Sequence, residues 1–326
     1  MTLFHEKLLA IARPVSYLAG ARLVRQGEGS RGAFLLRTGE VEAQVALPGG
    51  GMLTVAKLRD GDVFGEMALI ENGVCSASVV ARTNVDGWFI ERGDFRALVA
   101  SRDRAALEAQ RAITQVLAAK LRALNAKVEE RAAAENLPLK KNPGPDSSER
   151  KKPAFDWRAF LPILPFFEGF DDYEIEDLVA GARAMELPRG AALFAAGEPA
   201  DACYLVVRGA LEVMLQREGK ERRIALAGPG ELVGYMALIE GARHAASARV
   251  RESACVLELA AERFLAHYNG DSGTAVRLQH AIHRCLLRSL GRTNTQLTRL
   301  ISHARLAARA EEARELEAAL HGQIVR

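Results

Sequence analysis

One stretch of this chain occurs twice. Asp60-Gly61-Asp62-Val63-Phe64-Gly65-Glu66-Met67-Ala68-Leu69-Ile70 returns as Gly228-Pro229-Gly230-Glu231-Leu232-Val233-Gly234-Tyr235-Met236-Ala237-Leu238-Ile239. Gly27 and Gly39 match Gly197 and Gly209 at an offset of 197 − 27 = 170. Gly65 and Asn125 match Gly234 and Asn294 at 294 − 125 = 169, so one residue was lost in the loop between them. Duplication at this length means two copies of one folding unit, each with its own core, and 326 residues suffice for about two domains.

Within a copy, short strands come first. Val41, Ala43, Val45 and Leu47 alternate with Glu42, Gln44 and Ala46, the period of a half-buried strand. Pro48-Gly49-Gly50-Gly51 reads as a hairpin loop, Met52–Val55 as its return, and Ser78–Arg82 and Trp88–Glu91 as further strands. Many short strands punctuated by glycine predict a closed jelly-roll barrel. After Asp94 the period becomes helical. Ile113, Leu117, Leu121, Leu124 and Val128 draw one apolar stripe, and Ile282, Leu286, Leu290, Thr293 and Leu297 repeat it in order. An exposed stripe of that length is an association hazard. The two helices are therefore expected to meet, within one chain as a pseudo-dimer or across a homodimer.

The predicted layout is domain 1 over 1–137, a flexible basic linker over 138–154, domain 2 over 155–298 and a helical extension over 299–326. Pro138 is expected to end the first helix, and Lys140 to Pro153 holds no apolar side chain outside proline. Leu164-Pro165-Phe166-Phe167-Glu168-Gly169-Phe170-Asp171-Asp172-Tyr173 precedes the second barrel, where the first has a shorter lead-in. The extension, rich in Ala, Arg, Glu and Leu, is expected to be an output or assembly element.

At the repeated stretch a glycine stands where a strand gives way to a helical turn. Its missing Cβ lets a ligand approach the backbone, and the first helical amides can face an anion. Glu66 is placed to accept from a hydroxyl. These residues resemble the phosphate-binding cassette of the cyclic-nucleotide-binding domain, the module of catabolite-activator proteins and protein kinase regulatory subunits. Leu23–Glu28 through Gly39, and Leu193–Glu198 through Gly209, resemble that family's upstream strands, so the likeness covers nearly the whole chain. It implies a mainly β plus α fold of two tandem jelly-roll barrels with flanking helices and a long C-terminal helix.

In that family the cassette glutamate holds the ribose hydroxyl and a following arginine pairs with the cyclic phosphate. By this resemblance the first site comprises Gly65, Glu66, Met67, Ala68, Cys75, Ser76 and Ala77, with Cys75 in the arginine's place. The second comprises Gly234, Tyr235, Met236, Ala237, Arg243, His244, Ala245 and Ala246. Tyr235 replaces the glutamate, His244 holds the arginine register, and Arg243 lies one place early. Losing a bidentate, charge-assisted contact weakens binding by a few kcal/mol or so. The alternatives are a cyclic mononucleotide (cAMP or cGMP), a cyclic dinucleotide such as c-di-GMP, or no ligand and a scaffold role. Cys75 reads as a small packed residue, because its sequence neighbours carry no basic group.

Other classes fit less well. No Ser-His-Asp, Gly-x-Ser-x-Gly, Walker or paired-carboxylate pattern points to catalysis, so no enzyme activity and no cofactor are expected. His280 and His283 lie three apart near Cys285, a spacing that suits helix packing more often than a metal. Arg249 and Arg251 share a strand face, read as solvated. A net charge of +3 does not argue for nucleic acid, and too little chain follows Leu297 for a winged helix-turn-helix. Four scattered cysteines (Cys75, Cys203, Cys255, Cys285), an N-terminus without a signal-peptide layout and no apolar membrane span lead to the expectation of a cytoplasmic regulator. It would act through an unknown protein partner.

Overall fold

The structure, a computed structural model, describes residues 9, 11–46, 50–70, 74–134, 140–141, 150–217 and 220–324. The first copy supplies β1 (Ala12–Tyr17), β2 (Arg22–Val24), β3 (Gly32–Thr38), β4 (Val41–Ala46), β5 (Met52–Leu58), β6 (Val63–Phe64), β7 (Ser78–Ala81) and β8 (Val85–Glu91). They form two four-stranded antiparallel sheets, ordered β1-β8-β3-β6 and β2-β7-β4-β5. Phe34, Leu36, Val41, Val79 and Phe89 fill the space between them. The turn from β3 to β4 needs Gly39: its φ is +98° and a Cβ there would stand 2.3 Å from the Asn84 carbonyl oxygen. Gly209 does the same in the second copy, at φ +85° and 2.3 Å from the Ser253 oxygen.

Helix α1 (Met67–Ile70) is the single turn after Gly65, and α2 (Arg92–Ala100) leads into α3 (Arg104–Ala134). The fate of the helix at Pro138, and the segment 142–149, lie outside the described residues. The linker is not wholly irregular, because β9 (Lys140–Lys141) pairs with Lys220 and Glu221 and Lys151 bridges to Glu186. Two short 3-10 turns, Arg158–Ile163 and Pro165–Phe167, then bury Leu161, Phe166 and Phe167. Helix α4 (Asp172–Val179) begins with a capping box in which Asp171 and Glu174 satisfy each other's backbone amides.

The second barrel comprises β10 (Arg183–Leu187), β11 (Ala192–Phe194), β12 (Ala202–Arg217), β13 (Lys220–Ala227), β14 (Leu232–Val233) and β15 (Ser247–Ala260). β12 and β15 each run unbroken where the first copy has two strands, so they join both sheets. Helices α5 (Tyr235–Glu240) and α6 (Ala261–Asn269) precede α7 (Gly273–Ile324), which continues unbroken into the predicted extension as far as Ile324.

The stripe helices α3 and α7 pack on each other within the chain. Gln110 Nε2 donates to Gln279 Oε1 at 2.9 Å, Thr114 Oγ1 meets His283 Nε2, and Thr293 Oγ1 donates to Asn125 Oδ1 at 3.1 Å. The separations along the chain, 169, 169 and 168 residues, stay almost constant, so the helices run parallel. Gln110 and Gln279 are also equivalent in the repeat. A pseudo-twofold axis therefore passes between them, the relation of an isologous interface. Ile113, Leu117, Ile282 and Leu286 are fully buried in this seam and share one core with Phe95, Phe166, Leu178 and Phe264.

The strand face of Arg249 and Arg251 is not solvated as expected. Arg249 reaches Glu212 and Glu221, each at 3.2 Å, and Arg251 reaches Glu212 at 2.8 Å. Both carboxylates are buried, and a buried charge needs a partner. Glu42, the counterpart of Glu212, likewise holds Arg82 and Gln44. The carboxylates that hold Arg249 and Arg251 come from neighbouring strands, which a single strand's alternation does not reveal.

Candidate functional site

The first cassette keeps its acid, and that acid is already engaged. Gly65 takes φ +75°, and a Cβ there would stand 2.9 Å from the Gly32 carbonyl oxygen. The turn it allows closes with the Ala68 amide on the Gly65 carbonyl and the Leu69 amide on that of Glu66. Met67 and Ala68 belong to this turn, Ala68 buried. Glu66 is 3% exposed, and its Oε1 accepts from Lys120 Nζ on α3 at 2.8 Å. Its Oε2 is buried without a hydrogen-bond partner. Such an oxygen is a standing acceptor for one more donor, a hydroxyl for instance.

Cys75 does not accompany Glu66. Its amide and carbonyl pair with Glu28 and Gly27, and its side chain borders a different groove, between β1 and β2. Ser76 is exposed and Ala77 packs against the barrel core. The arginines of that groove, Arg13, Arg22, Arg25 and Arg31, come from distant parts of the sequence. They border the same groove as Cys75 although none is its neighbour in the sequence.

The second cassette opens into a cavity of about 350 Å³. Gly234 (φ +87°) caps α5, and Tyr235, in the place of the acid, is buried. Burial pushes its phenol well above the ordinary tyrosine value, so it stays neutral. His244 lines the cavity and stacks on Phe194, ring centroids 3.8 Å apart and planes 14° from parallel. Burial lowers its pKa, which leaves the imidazole without charge near neutral pH. Met236, Ala237, Ala245 and Ala246 also line the cavity. Arg243 does not: it is exposed and donates to the Gly197 carbonyl at 2.8 Å.

The far wall comes from the helix pair. Arg122 and Asn125 of α3 belong to the first copy, while Arg288, Ser289 and Thr293 of α7 belong to the second. Arg122 is paired with Glu240 at the end of α5, and Arg292 with Glu231. Arg288 has no carboxylate partner among the described residues, so it is the available cation of this cavity. The sequence marks α3 as a stripe helix but places neither it nor Arg288 at the site, because cassette motifs say nothing about which helix folds over them. The equivalence of Leu121 and Leu290 across the repeat was the one usable hint.

His283 lies in the seam, fully buried against Thr114, and burial drives its pKa down to about 3. His280, also desolvated and close to Arg284, Arg277 and Arg96, falls to about 4.

The sequence profile of the cyclic nucleotide-binding domain matches residues 14–102 and again 184–271. The chain belongs to the cyclic nucleotide-binding domain family and carries two copies of its domain. It is 34% identical over 103 residues to the Cyclic AMP receptor protein of Thermus thermophilus, a match covering 31% of this chain and 48% of that one. An uncharacterized NTE family protein of Mycobacterium bovis is 32% identical over 114 residues, covering 35% of this chain and 19% of that protein. The chain thus spans about half of one curated relative and about a fifth of the other. Among solved structures, the regulatory domain of Toxoplasma gondii PKA with cAMP is similar at 20% identity and TM-score 0.33, covering 87% of each chain. The c-di-GMP responsive global regulator CLP of Xanthomonas campestris is 27% identical at TM-score 0.36, covering 38% of this chain and 62% of that one.

Proposed function

We propose that this chain is a non-enzymatic nucleotide sensor with one working ligand site, the cavity of the second copy. The observation that carries the reading is that cavity itself. At about 350 Å³ it falls within the ligand-pocket range, and it is bounded by the α5 cassette, by both stripe helices and by an uncommitted arginine. An anionic nucleotide seated there would touch α5, α3 and α7 at once. Its binding energy could then shift how the helices pack and, through α7, what the C-terminal extension offers a protein partner. Tyr235 cannot accept as a glutamate would, so recognition would fall to Arg288, His244 and the apolar walls. A cyclic mononucleotide and a cyclic dinucleotide both fit this chemistry.

The first cassette works differently in this reading. Lys120 holds Glu66, so a ribose hydroxyl has to approach Oε2 beside an existing ion pair. That contact, together with Tyr235, also favours a second reading, a ligand-free scaffold. Mass spectrometry of nucleotides released from the purified chain, followed by calorimetry with cyclic mono- and dinucleotides, tests both. The sensor reading expects binding that falls at least tenfold in Arg288→Gln and is unchanged in Arg243→Ala. No released nucleotide and no heat with any of them leaves the scaffold.

A further inference from the structure

The groove between β1 and β2, with a volume of about 340 Å³, touches the first cassette only at Cys75 and does not include Gly65 or Glu66. It opens at the seam of the first barrel, where the edge strands of the two sheets meet. Phe34 and Phe89 are its buried floor. Arg13, Arg22 and Arg31 stand on its rim, exposed and without a carboxylate partner among the described residues. Arg25 is committed to Glu28 at 3.3 Å, and Arg13 lies over the Phe89 ring, 4.9 Å from its centroid.

The second copy shows what this place can hold. Offsets of 170 and 169 put Arg183, Ala192, Asp201 and Glu258 where the first copy has Arg13, Arg22, Arg31 and Phe89. Strand register agrees, since Arg13 faces Phe89 and Arg183 faces Glu258 across their ladders. In the second copy a piece of the chain's own linker occupies the seam. Lys151 exchanges backbone hydrogen bonds with Glu186 on the outer edge of β10, 3.1 and 2.7 Å long. Arg150 beside it places its guanidinium 3.6 Å from Glu258, which also holds Arg183 at 2.9 Å. An extended basic segment thus lies along the β10 edge, beside the carboxylates of Glu186 and Glu258.

The first copy offers the same edge with Arg31 in the place of Asp201, Arg22 in that of Ala192 and Phe89 in that of Glu258, which turns a seam of mixed charge into a basic one. We propose that this groove docks an extended acidic segment of a partner protein, paired to the backbone of Ser16 and sending alternate carboxylates to Arg13, Arg22 and Arg31. Ser16 is the counterpart of Glu186, the residue that bonds Lys151. Pro14, two residues earlier, has no amide hydrogen to offer, so backbone pairing centres on Ser16 as it centres on Glu186 in the second copy. Apolar stems of the segment would lie on Phe34 and Phe89. The charges set which sequence is accepted and make docking salt-sensitive.

The test uses the full chain and two labelled ten-residue peptides, one alternating glutamate with threonine and one alternating lysine with threonine. Fluorescence anisotropy should show saturable binding of the acidic peptide at one per chain and none of the basic peptide. Arg22→Glu with Arg31→Glu, both surface positions, should weaken the acidic peptide at least tenfold and allow the basic one to bind. Amide exchange at Ser16 should slow when the acidic peptide is added. The proposal is overturned by absence of saturable binding, or by equal affinity in the variant. It is overturned too if inorganic pyrophosphate displaces the peptide and Ser16 exchange never changes, since the groove would then be a small-anion site.

Discussion

The two barrels descend from one sequence and finish their cassettes in opposite ways. In the first, the cassette glutamate survives and a lysine from the copy's own stripe helix covers it. In the second, a tyrosine replaces the glutamate and an open cavity remains, walled by helices of both copies. The stripe helices lie on opposite sides of one pseudo-twofold axis, yet each meets a different cassette chemistry. A duplicated fold can therefore keep its symmetry in the seam, where equivalent residues meet, and lose it in the pockets, where the two cassettes carry different residues.

The seam should be the most sensitive part and the most symmetric. Leu117→Ala and Leu286→Ala each remove a fully buried side chain, and each should cost about 2–5 kcal/mol in urea unfolding. If one proves much cheaper than the other, the seam is not shared equally. Acid should come next. His283 is neutral in the fold, with a pKa near 3 against about 6.5 when unfolded. The unfolded chain then binds the extra proton between those values. Stability contributed by this group is complete above about pH 6.5 and falls by up to about 1.4 kcal/mol per pH unit as the pH drops toward 3. His283→Leu should flatten that part of the stability–pH curve; an unchanged curve would remove the seam histidine from the account.

A smaller effect should separate the cassettes. Lys120→Met leaves the buried Glu66 carboxylate unpaired, and because Lys120 is half exposed the loss should be roughly 1–3 kcal/mol. The equivalent residue in the second copy is Ser289, and Tyr235 stands there in the acid's place, so Ser289→Met breaks no ion pair with the cassette and should fall within about 0.5 kcal/mol of the parent. A further small change is Gln110→Leu with Gln279→Leu. Gln279 Nε2 also donates to the Tyr268 carbonyl at 2.7 Å, so the double change removes the Gln110 contact that sets helix register and takes a donor from that carbonyl, at a cost of about 1 kcal/mol. Broader amide resonances with a small drop in thermal midpoint are the expected sign.

Much of the fold was legible because it depends on local pattern repeated twice. Alternation marked β4, the glycine hairpin placed the start of β5, β7 and the end of β8 lie where strands were expected, and the four-three spacing from Ile113 to Val128 marked the face that α3 buries. The site was legible only in part. Gly65, Glu66, Gly234, Tyr235 and His244 could be named from the cassette, but Lys120, Arg122 and Arg288 reach those cassettes through helix packing that no motif encodes. Arg243 failed for a related reason: a turn of one residue decides which side chain faces the cavity, and here the Gly197 carbonyl captures the arginine. Arg249 and Arg251 looked solvated because their carboxylates sit on other strands.

The claim on which the rest depends is that equivalent helices pair inside one chain. Cysteines at Gln110 and Gln279, in a chain with Cys75 changed to serine, test it directly under mild oxidation. The account predicts a fast intramolecular crosslink, seen as a species of monomer mass with altered mobility on a non-reducing gel and unchanged by dilution. A crosslinked species of twice the mass, or no crosslink under conditions that oxidise a surface control pair, would contradict it.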